Sequence, residues 1–168
     1  MEPFILALIA HGLIGGADVI VNHEAIARVP AQPNTGPEQL LHSARELIFA
    51  LLFLGLAWFA WHGAAAFIIA ALLLTELAVS TIDTVIEPDV RVLPVTERVA
   101  HVLLFVNAGI ILGLLGPVLL AWSALPTQLA AADYGAASWV LSALALLALC
   151  WSIRDAASAT RRALHQNA

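Results

Sequence analysis

Lysine is absent from this chain, and cysteine occurs once, at Cys150. A single thiol excludes an internal disulfide and any cysteine-based zinc site. The seven cations are all arginine, and they are scattered, so no basic tract points to nucleic acid. Charge of either sign is scarce. Only 11% of the 168 residues are charged, about half the share usual in a soluble domain. Alternating segments of about ten residues, the mark of a membrane β-barrel, are missing too.

Apolar residues fill the space that charge leaves. They make up 61% of the chain, and the mean hydropathy is +0.92. Five segments, about 4–21, 38–61, 63–87, 96–122 and 134–153, reach the roughly 20 residues that a membrane helix needs. The expected protein is an all-α integral membrane protein with a single transmembrane domain, residues 1–168. Pro30, Pro33, Gly36 and Pro37 separate the first two spans, and Pro88 and Pro94 separate the third and fourth. Trp61-His62-Gly63 leaves only a short turn between spans two and three, which makes them antiparallel neighbours. The first span does not read as a cleaved signal peptide, because it opens on Glu2 and carries His11 and Asp18.

Five spans place every arginine on one side. Arg28 and Arg45 border the first loop, Arg91 and Arg98 the third, and Arg154, Arg161 and Arg162 follow the last span. The positive-inside rule makes that side cytoplasmic. The expected setting is a bacterial-type inner membrane, with the N-terminus outside and the C-terminus cytoplasmic.

Acids within such spans are costly unless they are paired, protonated or metal-bound. Each helical residue turns about 100°, so positions i, i+4, i+7 and i+11 share a face. Glu76, Ser80, Asp83 and Glu87 have that spacing, as do His11, Gly15, Asp18 and Asn22. His42 and Glu46 form an i, i+4 pair, and so do Glu97 and His101. At a rise of about 1.5 Å per residue, all four stripes fall in the arginine-bearing half of the membrane. Spans one to four are therefore expected to form a four-helix bundle around one polar site. Span five, with only serines and Cys150 as polar groups, is expected at the periphery or in a homo-oligomer contact.

Histidines and carboxylates on facing helices can form a di-metal site, in which carboxylates bridge two ions and a histidine caps each. The expected ligands are His42, Glu46, Glu76, Asp83, His101 and His11, with Glu97 and Asp18 as candidate catalytic bases. Mixed oxygen and nitrogen donors suit two divalent ions, iron first, then zinc or manganese. The spacing departs from the Glu-x-x-His pattern of ferritin-like sites, and the histidine boxes of membrane desaturases are absent. A bis-histidine haem between His42 and His101 is disfavoured by the number of acids. The expected activity is oxidation of a lipid-soluble substrate, with electrons from a donor protein, or metal-assisted hydrolysis as the variant. Three other readings compete: a buried salt-bridge network with Arg45 and Arg98, a proton or metal-ion pathway, and a non-catalytic accessory subunit. Of the remaining polar residues, His62 reads as interfacial and His165 as part of a polar tail. His23 and Glu24 cap the cavity mouth or are solvated. Glu87, Asp89 and Arg91 read as a loop ion-pair cluster.

Overall fold

The computed structural model describes residues 2–29, 32 and 35–166. Its long helices are α1 (Pro3–Asp18), α2 (Gly36–Trp58), α3 (Ala66–Val90), α4 (Val95–Ser123) and α5 (Ala136–Gln166). The first continues without a break as a π-helix over Val19–Ile26. Proline helps to start three of them: Pro3 and Pro37 stand in the first turns of α1 and α2, and Pro94 caps α4. There the missing N–H would have had no helical partner in any case. Five helices are long and apolar enough to cross a membrane, so the chain is a multi-pass membrane protein. Pro30 and Pro33 lie outside the described residues, as does the side chain of His165.

One proline reading changes. Pro88, expected to end the third span, sits inside the last turn of α3, which runs on to Val90. A proline near a helix end removes one hydrogen bond without stopping the turn around it.

The end of the bundle opposite the arginines is closed by a two-stranded antiparallel ribbon. β1 (Phe59–His62) pairs with β2 (Gln128–Ala131), from Phe59 opposite Ala131 to His62 opposite Gln128. Gly63, next to β1, has φ +58°, and a Cβ there would stand 2.3 Å from Thr127 Oγ1. Glycine is required by both its conformation and its space. Beneath the ribbon the core is apolar: Phe4, Leu8, Leu52, Leu56, Ile69 and Leu115 are each 1% exposed or less.

The expectation of a peripheral fifth helix is revised. α5 packs along the length of α2, more extensively than any other helix pair does. Hydrogen bonds mark the contact at successive levels. Ser138 Oγ donates to Ala57 O at 2.7 Å, and Trp58 Nε1 to Ser142 Oγ at 2.9 Å. Ser43 and Ser152 exchange bonds with each other's carbonyls at 2.9 and 2.8 Å, and Arg162 Nη1 donates to Thr35 Oγ1 at 3.0 Å. Serine suits this role because a small side chain lets backbones approach while its hydroxyl satisfies a carbonyl. Gly12 adds to the close packing, since a Cβ there would meet Leu144 at 2.8 Å and Phe53 at 3.2 Å. A Cβ at Gly16, Gly109 or Gly113 would meet nothing within 4 Å, so these glycines seal no close helix contact.

Candidate metal centre

The polar cluster is built at the arginine-bearing end, where the π-helix continues α1. On an α-helix His23 would point about 140° away from Asp18, at 100° per residue. The wider π turn brings Asp18, Asn22 and His23 to the inner face together, and all three are buried. π segments recur at functional sites because they re-aim side chains in this way. Asn22 Nδ2 donates to Asp18 Oδ1 at 2.7 Å, and Thr96 Oγ1 donates to Asn22 Oδ1 at 2.5 Å.

Glu87 stands at the centre and is fully buried. Its Oε1 lies 3.2 Å from His42 Nε2 on α2, and its Oε2 lies 3.4 Å from His101 Nδ1 on α4. His42 Nε2 is also 3.2 Å from Asp83 Oδ2. On the other side, His101 Nε2 is 3.6 Å from Asp18 Oδ2, and His23 Nε2 is 3.0 Å from Glu97 Oε1. The His23 and His42 rings stack with centroids 4.5 Å apart. Two sets of ligand atoms each fall within 4.8 Å: His23, Glu87, Glu97 and His101 in one, Glu38, His42 and Glu87 in the other. Glu87 belongs to both.

These residues fit metal ions. Two donors bound to one ion at about 2.1 Å, at tetrahedral to octahedral angles, lie roughly 3.0–3.4 Å apart. The contacts of Glu87 with both histidines, and of His42 with Asp83, have that spacing. Glu87 Oε2, His42 Nδ1 and both ring nitrogens of His101 are buried without a hydrogen-bond partner. Each such group costs about 1–3 kcal/mol if nothing satisfies it.

Two arginines supply part of the balancing charge. Arg91 donates from Nε to Glu38 Oε1 at 2.8 Å and grips both oxygens of Glu97, one at 2.7 Å from Nη1. Its Nη2 is 3.9 Å from Glu87 Oε1. Burial opposes its charge, but the hydrogen bonds to Glu97 and Glu38 outweigh that and hold its pKa above the ordinary arginine value. Arg45 Nη1 donates to Asp83 Oδ2 at 2.8 Å. Arg98, expected among these cations, is exposed and makes no ion pair among the described residues. Five carboxylates (Asp18, Glu38, Asp83, Glu87 and Glu97) therefore face two guanidinium groups, which leaves an acid excess for bound cations or protonated histidines to offset.

The expected ligand set divides by depth. His42 and His101 meet at Glu87, Asp83 reaches the cluster through His42, and the expected bases Asp18 and Glu97 stand beside them. Asp83, His11, Glu46 and Glu76 join neither set of ligand atoms, and the last three stand apart from Glu87. Glu76 lies eleven residues before Glu87 on the same stripe, about 16 Å deeper along α3. It accepts from Ser80 Oγ at 2.5 Å. His11 stacks on Phe49, with Asn107 Nδ2 at 3.1 Å from its Nδ1. Glu46, one turn beyond His42, lines a cavity that adjoins the cluster at Asp18, His23 and His42. In their place stand residues that spacing alone assigned elsewhere. Glu87 shares the stripe of Asp83, yet reads as a loop group if Pro88 ends the helix. His23 is legible only with a π period. Glu38, just after Pro37, resembles an ordinary first-turn acid.

Fold and site together define a five-helix membrane protein with a buried histidine–carboxylate cluster at one end. No protein-family model matches the sequence, and no curated protein and no solved structure matches the chain.

Proposed function

We propose that this chain is a metal-dependent membrane enzyme that oxidises a lipid-soluble substrate at a di-metal centre bridged by Glu87. The observation that supports it most directly is the Glu87 carboxylate, fully buried with one oxygen toward His42 and the other toward His101. Glu38, His42 and Glu87 would hold one ion, with Asp83 orienting His42; His23, Glu97 and His101, with Glu87, would hold the other. Iron is the favoured metal for this donor set, with zinc or manganese and hydrolysis as the variant. Bound iron would supply redox chemistry with O2, with electrons from a donor protein. Glu97 moves from base to ligand in this reading, because the Arg91 clamp fixes both its oxygens. Asp18 remains the proton-handling candidate, oriented by Asn22 and next to His101. The arginine-bearing end is taken as the cytoplasmic face of a bacterial-type inner membrane, with the N-terminus outside.

A carrier would need polar groups across the opposite half as well. There the described core is Phe4, Leu8, Leu52, Leu56, Ile69 and Leu115, which supports a closed site over a pathway. The deciding measurement is the metal content of purified full-length protein, with an absorption spectrum. About two ions per chain, lost together in Glu87→Ala, is the expected result. A folded protein that takes up no iron, manganese or zinc would overturn the proposal.

A further inference from the structure

A cavity of about 200 Å³, partly open at the protein surface, lies between α1, α2 and α5 and shares Asp18, His23 and His42 with the polar cluster. Along α2 it reaches from His42 to Phe53, about 16 Å at 1.5 Å per residue. Its deep end is mainly apolar, walled by Phe53, Leu144, Leu147 and glycines of α1, with His11 beside them. Its shallow end carries Asp18, Glu46 and Trp151. A long, mainly apolar groove with a more polar end suits a single-chain amphiphile.

The chemistry of the polar end narrows the head group. Trp151 Nε1 and Glu46 Oε2 are both buried without a hydrogen-bond partner. Both residues lie within one turn of the Ser43–Ser152 contact, which sets them at one level. One offers only a donor and the other an acceptor, and a hydroxyl is both acceptor and donor. Arg45 donates from Nη1 to Asp83, with its Nε buried and unpartnered, while Asp18 at the same end disfavours an anionic head. Buried His42 Nδ1, also unpartnered, stands where the cavity meets the metal centre.

We propose that this cavity binds a single-chain lipid alcohol, its hydroxyl between Trp151 and Glu46 and its chain running toward Phe53 and Leu144. As the identity of a substrate, this rests on the metal-enzyme reading; as a binding site, it does not.

Gly16 lines the cavity, and a Cβ there meets nothing within 4 Å. Gly16→Leu and Ala148→Leu thus fill the groove from opposite walls. The test uses full-length protein in phosphatidylcholine discs with tritiated 1-hexadecanol, and hexadecyl sulfate as competitor. Saturable binding of about one alcohol per chain is expected, about tenfold or more weaker in each filled variant, as displacement of two or so buried methylenes implies. Metal content should not change in those variants. Hexadecyl sulfate should compete poorly. A photoreactive hexadecanol should label wild-type peptides of α1, α2 and α5 that line the cavity. Equal competition by the sulfate, undiminished binding in both filled variants, or labelling spread over the outer helix faces would overturn the proposal. Alcohol binding that persists in metal-free protein would separate this site from the metal reading, and metal without saturable alcohol binding would sink this site alone.

Discussion

At the arginine-bearing end, Arg91 joins α3 to Glu38 of α2 and Glu97 of α4, while histidines from three helices surround Glu87. At the opposite end the ribbon of residues 59–62 and 128–131 joins the α2–α3 link to the α4–α5 link through backbone hydrogen bonds, with no ion pair among the described residues. The second end satisfies its polar groups within the chain, in a region lined by tryptophan and aliphatic side chains. The first leaves acids in excess and several ring nitrogens without partners. A membrane protein gains nothing in stability from such an excess, because unpaired charge is costly where water is scarce. The asymmetry thus separates a structural closure from the buried histidine–carboxylate cluster at which we propose that metal binds.

The largest effect should follow from removing the group shared by both ligand sets. Glu87→Ala should lower metal affinity by about 100-fold or more, beyond the 10–100-fold typical of residues that only orient ligands. Metal analysis after dialysis against a weak chelator measures it, and retention of one ion would argue against a bridging role. Next is Arg91→Ala, which leaves Glu38 and Glu97 without their cation. Metal-free protein should lose about 3–5 kcal/mol of stability in a denaturation series. Added divalent manganese should restore part of that, since an ion that binds the folded state alone stabilises it. If manganese has no effect, the arginine-network reading gains. At the far end, Gly63→Ala should cost about 1–3 kcal/mol through its positive φ and the Thr127 contact. Its metal content should equal wild type, so any metal loss would show that the two ends are coupled. The smallest effect is expected for Glu76→Gln, whose carboxylate is held by Ser80 about 16 Å along α3 from Glu87. A metal loss like that of Glu87→Ala would return the deeper layer to the ligand set.

Much of the site was legible as a set of stripes. His42, Asp83, His101, Asp18 and Glu97 lie on the faces that a period of 3.6 predicts, and the structure brings them together. The stripe on α3 already contained Glu87, but the rule that proline ends helices discounted it. His23 was lost to the assumption of a uniform α period. Glu46 and Glu76 share those faces but lie at other depths than Glu87, because a stripe gives direction around an axis and says little about which turn meets a partner. The lipid-facing look of α5 hid its contact with α2, since serine and alanine at a helix interface resemble the rest of an apolar span.

Span number, span length and the gathering of arginine at one end follow from composition and order along the chain. Hydropathy and helical rise are local quantities, so they can be read without knowing what packs against what. Which carboxylate stands at the centre, the π turn that aims His23, the partner of α5 and the cavity beside it depend on how five helices settle against one another. Those outcomes turn on the register and depth of side chains that are far apart in the chain, and packing sets them.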